Sequence, residues 1–337
     1  MTKKLTMLCM TVLFILVIAA CGAKNSGGNE GDANAQTTAA ETNVNGTEKE
    51  AEAPQEDETI TITHQLGETP VKKNPGNVVV LDYGALETLD KLGVEVVGLP
   101  KSSLPPHLKK FEDAKYTDVG TLKEPDFEKI NSIKPGLIII SGRTSEAYEE
   151  LGKIAPTIYM GVDTKKYMES FTENVNTIAS IFGKEDEAQK ELAAINESIQ
   201  KIHETATAGG KKGLIILTTG GKVSAYGPGS RFGIIHDVVG VAPVDDTISA
   251  TTHGDSISFE YVVEKNPDYL FVVDRDAVVS GENVKPAKEI VENDLVKKTN
   301  AYKDGKIIYL DPSYWYLSGG GLLSVPEMLK EVEEGIK

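Results

Sequence analysis

The chain of 337 residues holds thirty-two lysines but only three arginines, Arg143, Arg231 and Arg275, and their placement points to chemistry. Each stands at or just beyond the end of a stretch that reads as a strand. Arg143 follows Leu137-Ile138-Ile139-Ile140-Ser141-Gly142, and Arg275 follows Leu270-Phe271-Val272-Val273-Asp274. Arg231 follows the turn Gly227-Pro228-Gly229-Ser230 after Val223-Ser224-Ala225-Tyr226. In open α/β sheets, ligands bind outside the carboxyl ends of the strands. A guanidinium is always charged and donates in a fixed fork, which suits an anionic, oxygen-rich, planar partner. The competing reading is three separate ion pairs, with Asp274, Asp276 or Glu146 as partners. One arginine alone favours the ion pair; three at equivalent strand exits favour a shared anion site.

Aromatic residues stand at another strand exit. Tyr314-Trp315-Tyr316, which includes the sole tryptophan, lies between Pro312 and Gly319-Gly320-Gly321 and reads as a loop. Three consecutive aromatics cannot all face a core. Beside arginines, Trp315 and Tyr314 would suit a ligand that is both aromatic and anionic; alone, they would serve equally as an apolar plug over the core edge. Tyr83 and Lys101 follow further strand-like runs and are secondary candidates. Other chemistries fit poorly. The five histidines are scattered without HxH or HExxH spacing, which argues against a zinc or manganese site, and His253 is the one of interest. There is no GxxxxGK[ST], and the glycines of GPGSRFG are spaced one residue too far apart for a dinucleotide fingerprint.

The elements that must position these residues include a duplicated unit. Residues 127–143 (FEKINSIKPGLIIISGR) align without a gap on 259–275 (FEYVVEKNPDYLFVVDR). Phe127/Phe259, Glu128/Glu260, Pro135/Pro267 and Arg143/Arg275 are identical, and each unit predicts a short helix stopped by a proline and then a strand buried on both faces. Strands are expected at 60–64, 78–81, 94–99, 137–140 and 157–160, then at 213–217, 222–225, 241–244, 269–273 and 306–310, alternating with helices. Residues 185–208 predict one long helix with Ala188, Leu192, Ile195, Ile199 and Ile202 on one face.

The expected organisation is therefore a signal peptide at 1–20, a lipidated Cys21 opening an acidic tether to residue 58, an α/β lobe at 59–184, a connecting helix at 185–209 and a second α/β lobe at 210–337. The leader carries Lys3 and Lys4, an apolar run, and Ile18-Ala19-Ala20-Cys21, which resembles a bacterial lipobox; an ordinary secretory signal is the alternative. The tether holds nine acidic residues against two lysines and too few apolar residues to fold. With a net charge of −16, the chain is a poor candidate for binding nucleic acid.

The segments KEPDFEKI, IAPTIYMGVDTKKYMESF, GPGSRFGIIHDVVGVAP, NPDYLFVVDR and WYLSGGG, together with leader, tether and paired lobes, resemble the siderophore- and cobalamin-type substrate-binding proteins of ABC importers over residues 59–337. The resemblance implies two Rossmann-like lobes joined by a single long helix, with a ligand cleft between them. It maps the family's ligand-holding arginines onto Arg143, Arg231 and Arg275, and its permease-docking glutamates onto Glu128 and Glu260. It implies a monomer that is not an enzyme, anchored by lipid outside the cell membrane. That monomer would capture a ferric catecholate siderophore, of mixed catecholate–citrate type, for an ABC permease and its ATPase. The siderophore would hold the iron, so no protein metal ligand and no cofactor are expected. Haem or a corrinoid is the alternative ligand within the fold. A secreted Rossmann-type oxidoreductase is the competitor from another class, and a purely structural surface lipoprotein is the third reading.

Overall fold

The structure, a computed structural model, describes residues 58–279 and 285–337. The expected leader, Cys21 and nearly all of the acidic tether lie outside the described residues.

The first lobe opens with an antiparallel hairpin, β1 (Thr59–His64) and β2 (Gly67–Lys72). Five parallel strands follow: β3 (Val78–Val80), β4 (Gly98–Leu99), β5 (Thr117–Asp118), β6 (Leu137–Ile140) and β7 (Thr157–Tyr159), in the order β5-β4-β3-β6-β7. Every residue of β3 and β6 is buried, as continuous apolar runs in a sheet covered on both faces require. Alternate residues divide between two cores. Val79, Ile138 and Ile140 pack with Ile130 and Leu151 on one face, while Val80, Leu137 and Ile139 pack with Leu86, Leu89 and Phe171 on the other.

The second lobe contains β8 (Lys212–Thr219), β9 (Lys222–Tyr226), β10 (Ala242–Pro243), β11 (Asp255–Ile257), β12 (Tyr269–Asp274) and β13 (Ile307–Leu310). They lie in the order β11-β9-β8-β12-β13, with β10 beside β8. Strands β8, β12 and β13 are parallel; β9 runs against them, and β11, antiparallel to β9, runs in the same direction as β8.

The duplicated unit is the same structure twice. Its helices span Phe127–Ile133 and Phe259–Lys265. Each ends on a left-handed residue at the same register, Lys134 (φ 52°) and Asn266 (φ 44°), immediately before the shared proline. A proline disfavours the helical conformation in the residue before it, so both units reverse there and enter their strand two residues after the proline. The long run 94–99 shrinks to the two residues of β4, and β2, β5 and β11 go unread in the sequence. Such short strands are held by their neighbours rather than by a pattern of their own.

Helix Tyr167–Phe182 ends at Gly183 in a left-handed conformation, and Glu185–Ala208 then runs for 24 residues, roughly 36 Å. Ala188, Leu192, Ile195, Ile202 and Ala206 form its buried stripe. A third helix, Ser324–Ile336, packs on it through Val325, Met328, Leu329, Val332 and Ile336. These helices and the facing sides of both sheets share one continuous hydrophobic core. Among the described residues, no helix is long and apolar enough to cross a membrane.

Candidate ligand-binding cleft

Both sheets reverse their winding at an equivalent place, between β3 and β6 in the first lobe and between β8 and β12 in the second. Such switch points leave a crevice at the carboxyl ends of the strands. In the first lobe the crevice is set by Asp82. Its Oδ1 accepts from the Ala85 amide at 2.8 Å, capping helix Tyr83–Lys91, and its Oδ2 accepts from Ser141 Oγ at 2.6 Å. Burial pushes the Asp82 carboxyl above the usual carboxylate range, against the pull of those two hydrogen bonds. Two residues after Ser141, Arg143 projects into the cleft.

The second lobe repeats this scheme with other residues. Asp276 accepts from Thr219 Oγ1 at 3.1 Å and from the Gly220 amide at 2.5 Å. Arg275 donates from Nη1 to Thr219 Oγ1 at 3.0 Å and pairs with Asp276 at 3.4 Å. Arg231 enters from the turn in which Ser230 Oγ donates to the Gly227 carbonyl and Gly229 adopts φ 68°.

All three arginines meet on Tyr316. Arg143 donates to the Leu317 carbonyl at 3.0 Å and to the Tyr316 carbonyl at 2.5 Å. Arg231 donates to the same Tyr316 carbonyl, and its guanidinium carbon lies 4.1 Å from the ring centre. Arg275 Nε donates to the Tyr316 hydroxyl at 3.0 Å. Burial alone would raise the phenol, but the Arg275 hydrogen bond and the three guanidiniums bring it below its ordinary value. The Arg231 guanidinium is in turn lowered by burial and by Arg143. Among the described residues, Arg143 and Arg231 have no carboxylate at ion-pair distance; Arg275 has Asp276.

The aromatic stretch is not the expected loop. Ser313–Ser318 forms a π-helical turn closed by Gly319 at φ 63°, and the turn sends its aromatics three ways. Trp315, 2% exposed, packs against Phe232 and donates Nε1 to Glu331 at 2.7 Å, so it forms the back wall of the cleft. Tyr314 turns away and stacks on His107 with ring centres 4.6 Å apart. Tyr316, which the sequence reading passes over, enters the cleft. The turn is seated against the first lobe: a Cβ on Gly321 would lie 2.4 Å from the Gly84 carbonyl oxygen, so only glycine fits there. Nearby, the fully buried Glu87 accepts from the Ser324 amide at 2.8 Å and bonds His107 at 2.6 Å.

The cleft has two chambers, of about 480 and 300 Å³. The larger is lined by Arg143, Arg231, Thr252, His253 and Ser318, and the smaller by Arg143, Arg275, Ser102, Ser103 and Thr121. Lys123 lines both, a cation that no strand exit marks. Tyr83 and Lys101 line neither, and this corrects their candidacy. Tyr83 is fully buried and donates to the Pro100 carbonyl at 3.1 Å. Lys101 Nζ is held by the carbonyls of Glu112 and Asp113 at 3.2 and 2.8 Å. Among the described residues, no group of three or more His, Cys, Asp and Glu side chains is placed to hold a metal ion. Glu128 and Glu260 are exposed in the first turns of the matched helices, one on each lobe.

Residues 78–314 match the family model described as periplasmic binding protein. The chain is 50% identical to the petrobactin-binding protein YclQ of Bacillus subtilis, across 99% of both chains. The crystal structure of YclQ superposes with a TM-score of 0.81 and 56% identity, covering 83% of this chain and 99% of that one. A periplasmic catecholate-siderophore binding protein of Vibrio cholerae, VctP, superposes with a TM-score of 0.79 and 36% identity, covering 82% of this chain and all of that one. On its sequence, its paired lobes and the helix that joins them, the chain belongs to the periplasmic binding protein family.

Proposed function

We propose that this chain is the substrate-binding protein of an ABC importer for iron, capturing a ferric catecholate-type siderophore of the petrobactin kind and passing it to a permease. The observation that carries this reading is the cationic cleft in an acidic protein. Among the described residues, Arg143 and Arg231 face the cleft with no carboxylate at ion-pair distance, beside an aromatic ring, in a chain of net charge −16. Placing uncompensated guanidiniums in a partly desolvated cleft is unfavourable unless an anion completes the site. A ferric catecholate supplies the negative charge, the oxygen acceptors and the flat rings together. The siderophore oxygens hold the iron, and the protein contributes charge, hydrogen bonds and shape. The chain acts as a binder rather than an enzyme.

Its place in the importer follows the same reading. Cys21 carries the lipid that anchors it on the outer face of the cell membrane. Glu128 and Glu260 dock on cationic residues of the permease, which works with its ATPase. The test is titration of Trp315 emission, the single tryptophan signal, with ferric siderophores and haem. Saturable quenching by ferric catecholates at sub-micromolar concentration is expected. Haem binding in preference to every ferric siderophore would overturn the ligand class.

A further inference from the structure

The three arginines do not line one space. Arg231 borders only the larger chamber, Arg275 only the smaller, and Arg143 borders both. The wall between the chambers is Tyr316, flanked by Arg143 and Lys123. This ring is held at several points. Its hydroxyl accepts from Arg275, its carbonyl accepts from Arg143 and Arg231, and its face lies 4.1 Å from the Arg231 guanidinium carbon. Its neighbours Trp315 and Leu317 are buried, which fixes the turn that carries it. Swinging the ring aside would break the Arg275 bond and the stacking together, so the ring is a partition.

We propose that Tyr316 sets the shape of the ligand: the cleft takes a ferric chelate with two anionic arms that straddle the phenol ring. One arm is read by Arg143 and Arg231, the other by Arg143, Arg275 and Lys123. This rests on the siderophore reading above and deepens it. Both chambers are lined by hydroxyls as well as cations, Thr164, Thr251 and Thr252 in one and Ser102, Ser103 and Thr121 in the other, so each suits an oxygen-rich arm. Ser318 Oγ, in the larger chamber, is a buried polar atom with no hydrogen-bond partner among the described residues. Buried polar groups are normally satisfied, and an arm oxygen there would satisfy this one. A tripodal tris-catechol chelate carries three aromatic arms, one more than the two chambers can seat on either side of the ring. Excluding it is specificity by obstruction rather than by attraction.

The test uses ferric complexes of two synthetic ligands of equal net charge. One is linear, with two catechol arms joined through a hydroxycarboxylate; the other is a tripodal tris-catechol. The natural chain is expected to favour the linear complex by at least about tenfold in Kd. Tyr316→Ala should bring the ratio close to one, chiefly by tighter binding of the tripodal complex. Tyr316→Phe should weaken both complexes by a similar factor and keep the ratio, because it removes the hydroxyl but not the wall. Melting temperatures without ligand establish that each variant is folded, and Tyr316→Leu, with an intermediate ratio expected, stands in if the alanine variant melts low. Equal binding of the two complexes by the natural chain, or an unchanged ratio in Tyr316→Ala, overturns the partition. Failure of both complexes to bind the natural chain instead overturns the siderophore reading, and the partition with it.

Discussion

The two lobes begin from the same sequence unit and finish with different electrostatics. Helices Phe127–Ile133 and Phe259–Lys265, their left-handed caps and their prolines match residue for residue, and each strand delivers an arginine to the cleft. Arg275 is then held by Asp276 and Thr219, whereas Arg143, among the described residues, donates only to main-chain carbonyls across the cleft. Backbone geometry is set by the helix cap and the strand. Whether the delivered charge is neutralised or left for a ligand is set by one neighbouring residue, aspartate after Arg275 and threonine after Arg143.

The largest effect tests what the lobes share. Replacing Glu128 and Glu260 together with lysine should abolish siderophore uptake in cells while leaving affinity for the ferric complex unchanged. Each single reversal should cause a smaller, comparable loss. Normal uptake by the double variant would remove the docking role.

The arginines sharpen the contrast. Arg143→Gln should cost ~2–5 kcal/mol of binding, roughly a thirty- to several-thousand-fold rise in Kd. Arg275→Gln should cost about tenfold or less, because Asp276 already offsets its charge. Thermal unfolding without ligand should move the other way: Arg275→Gln melts lower, while Arg143→Gln melts at the same temperature or higher, relieved of repulsion with Arg231. Equal affinity losses, measured by calorimetry, would erase the proposed difference between lobes.

A smaller effect concerns Tyr316. Its phenol ionises below the ordinary 10.0, so at alkaline pH a phenolate forms among the guanidiniums sooner than in the unfolded chain. Between that lowered value and 10.0 the unfolded state binds more protons, so stability of the free protein should rise with pH in that window. Affinity for an anionic ligand should fall over the same window, since the phenolate cancels part of the cationic charge. Tyr316→Phe should flatten both profiles, and a profile that persists in this variant assigns the titration elsewhere.

The smallest effect lies at the helix starts. Asp126 caps its helix by accepting from the Lys129 amide at 3.0 Å, whereas Ser258 makes no such bond. Asp126→Ala should therefore cost ~1 kcal/mol and Ser258→Ala only a few tenths, read from chemical denaturation.

What the sequence reveals follows from how local each cause is. The duplicated unit is legible because Pro135 and Pro267 act on their immediate neighbours and the buried strands need continuous apolar runs. The arginines are legible because strand exits are. Tyr83 and Lys101 also follow strand-like runs, yet one turns into the core and the other onto its own lobe, since side-chain direction depends on what packs around it. Choosing Tyr316 over Tyr314 and Trp315 depends on a single π-helical turn, and adjacent residues on such a turn face different surroundings. The helix Ser324–Ile336 is a plainer omission: Val325, Met328, Leu329, Val332 and Ile336 carry a readable helical stripe.

The core that runs unbroken from one sheet to the other through helices Tyr167–Phe182, Glu185–Ala208 and Ser324–Ile336 has a kinetic consequence. Prying the lobes apart exposes this seam, at ~25 cal/mol for each Å² of apolar surface, so ~100 Å² already costs about 2.5 kcal/mol. A ligand therefore meets walls that already stand near their final spacing, and its capture rate is limited by encounter and orientation rather than by waiting for an entrance. Letting go is the slow event. It is hastened by whatever applies force on both sides of the seam at once, and a partner gripping Glu128 on one lobe and Glu260 on the other holds both handles.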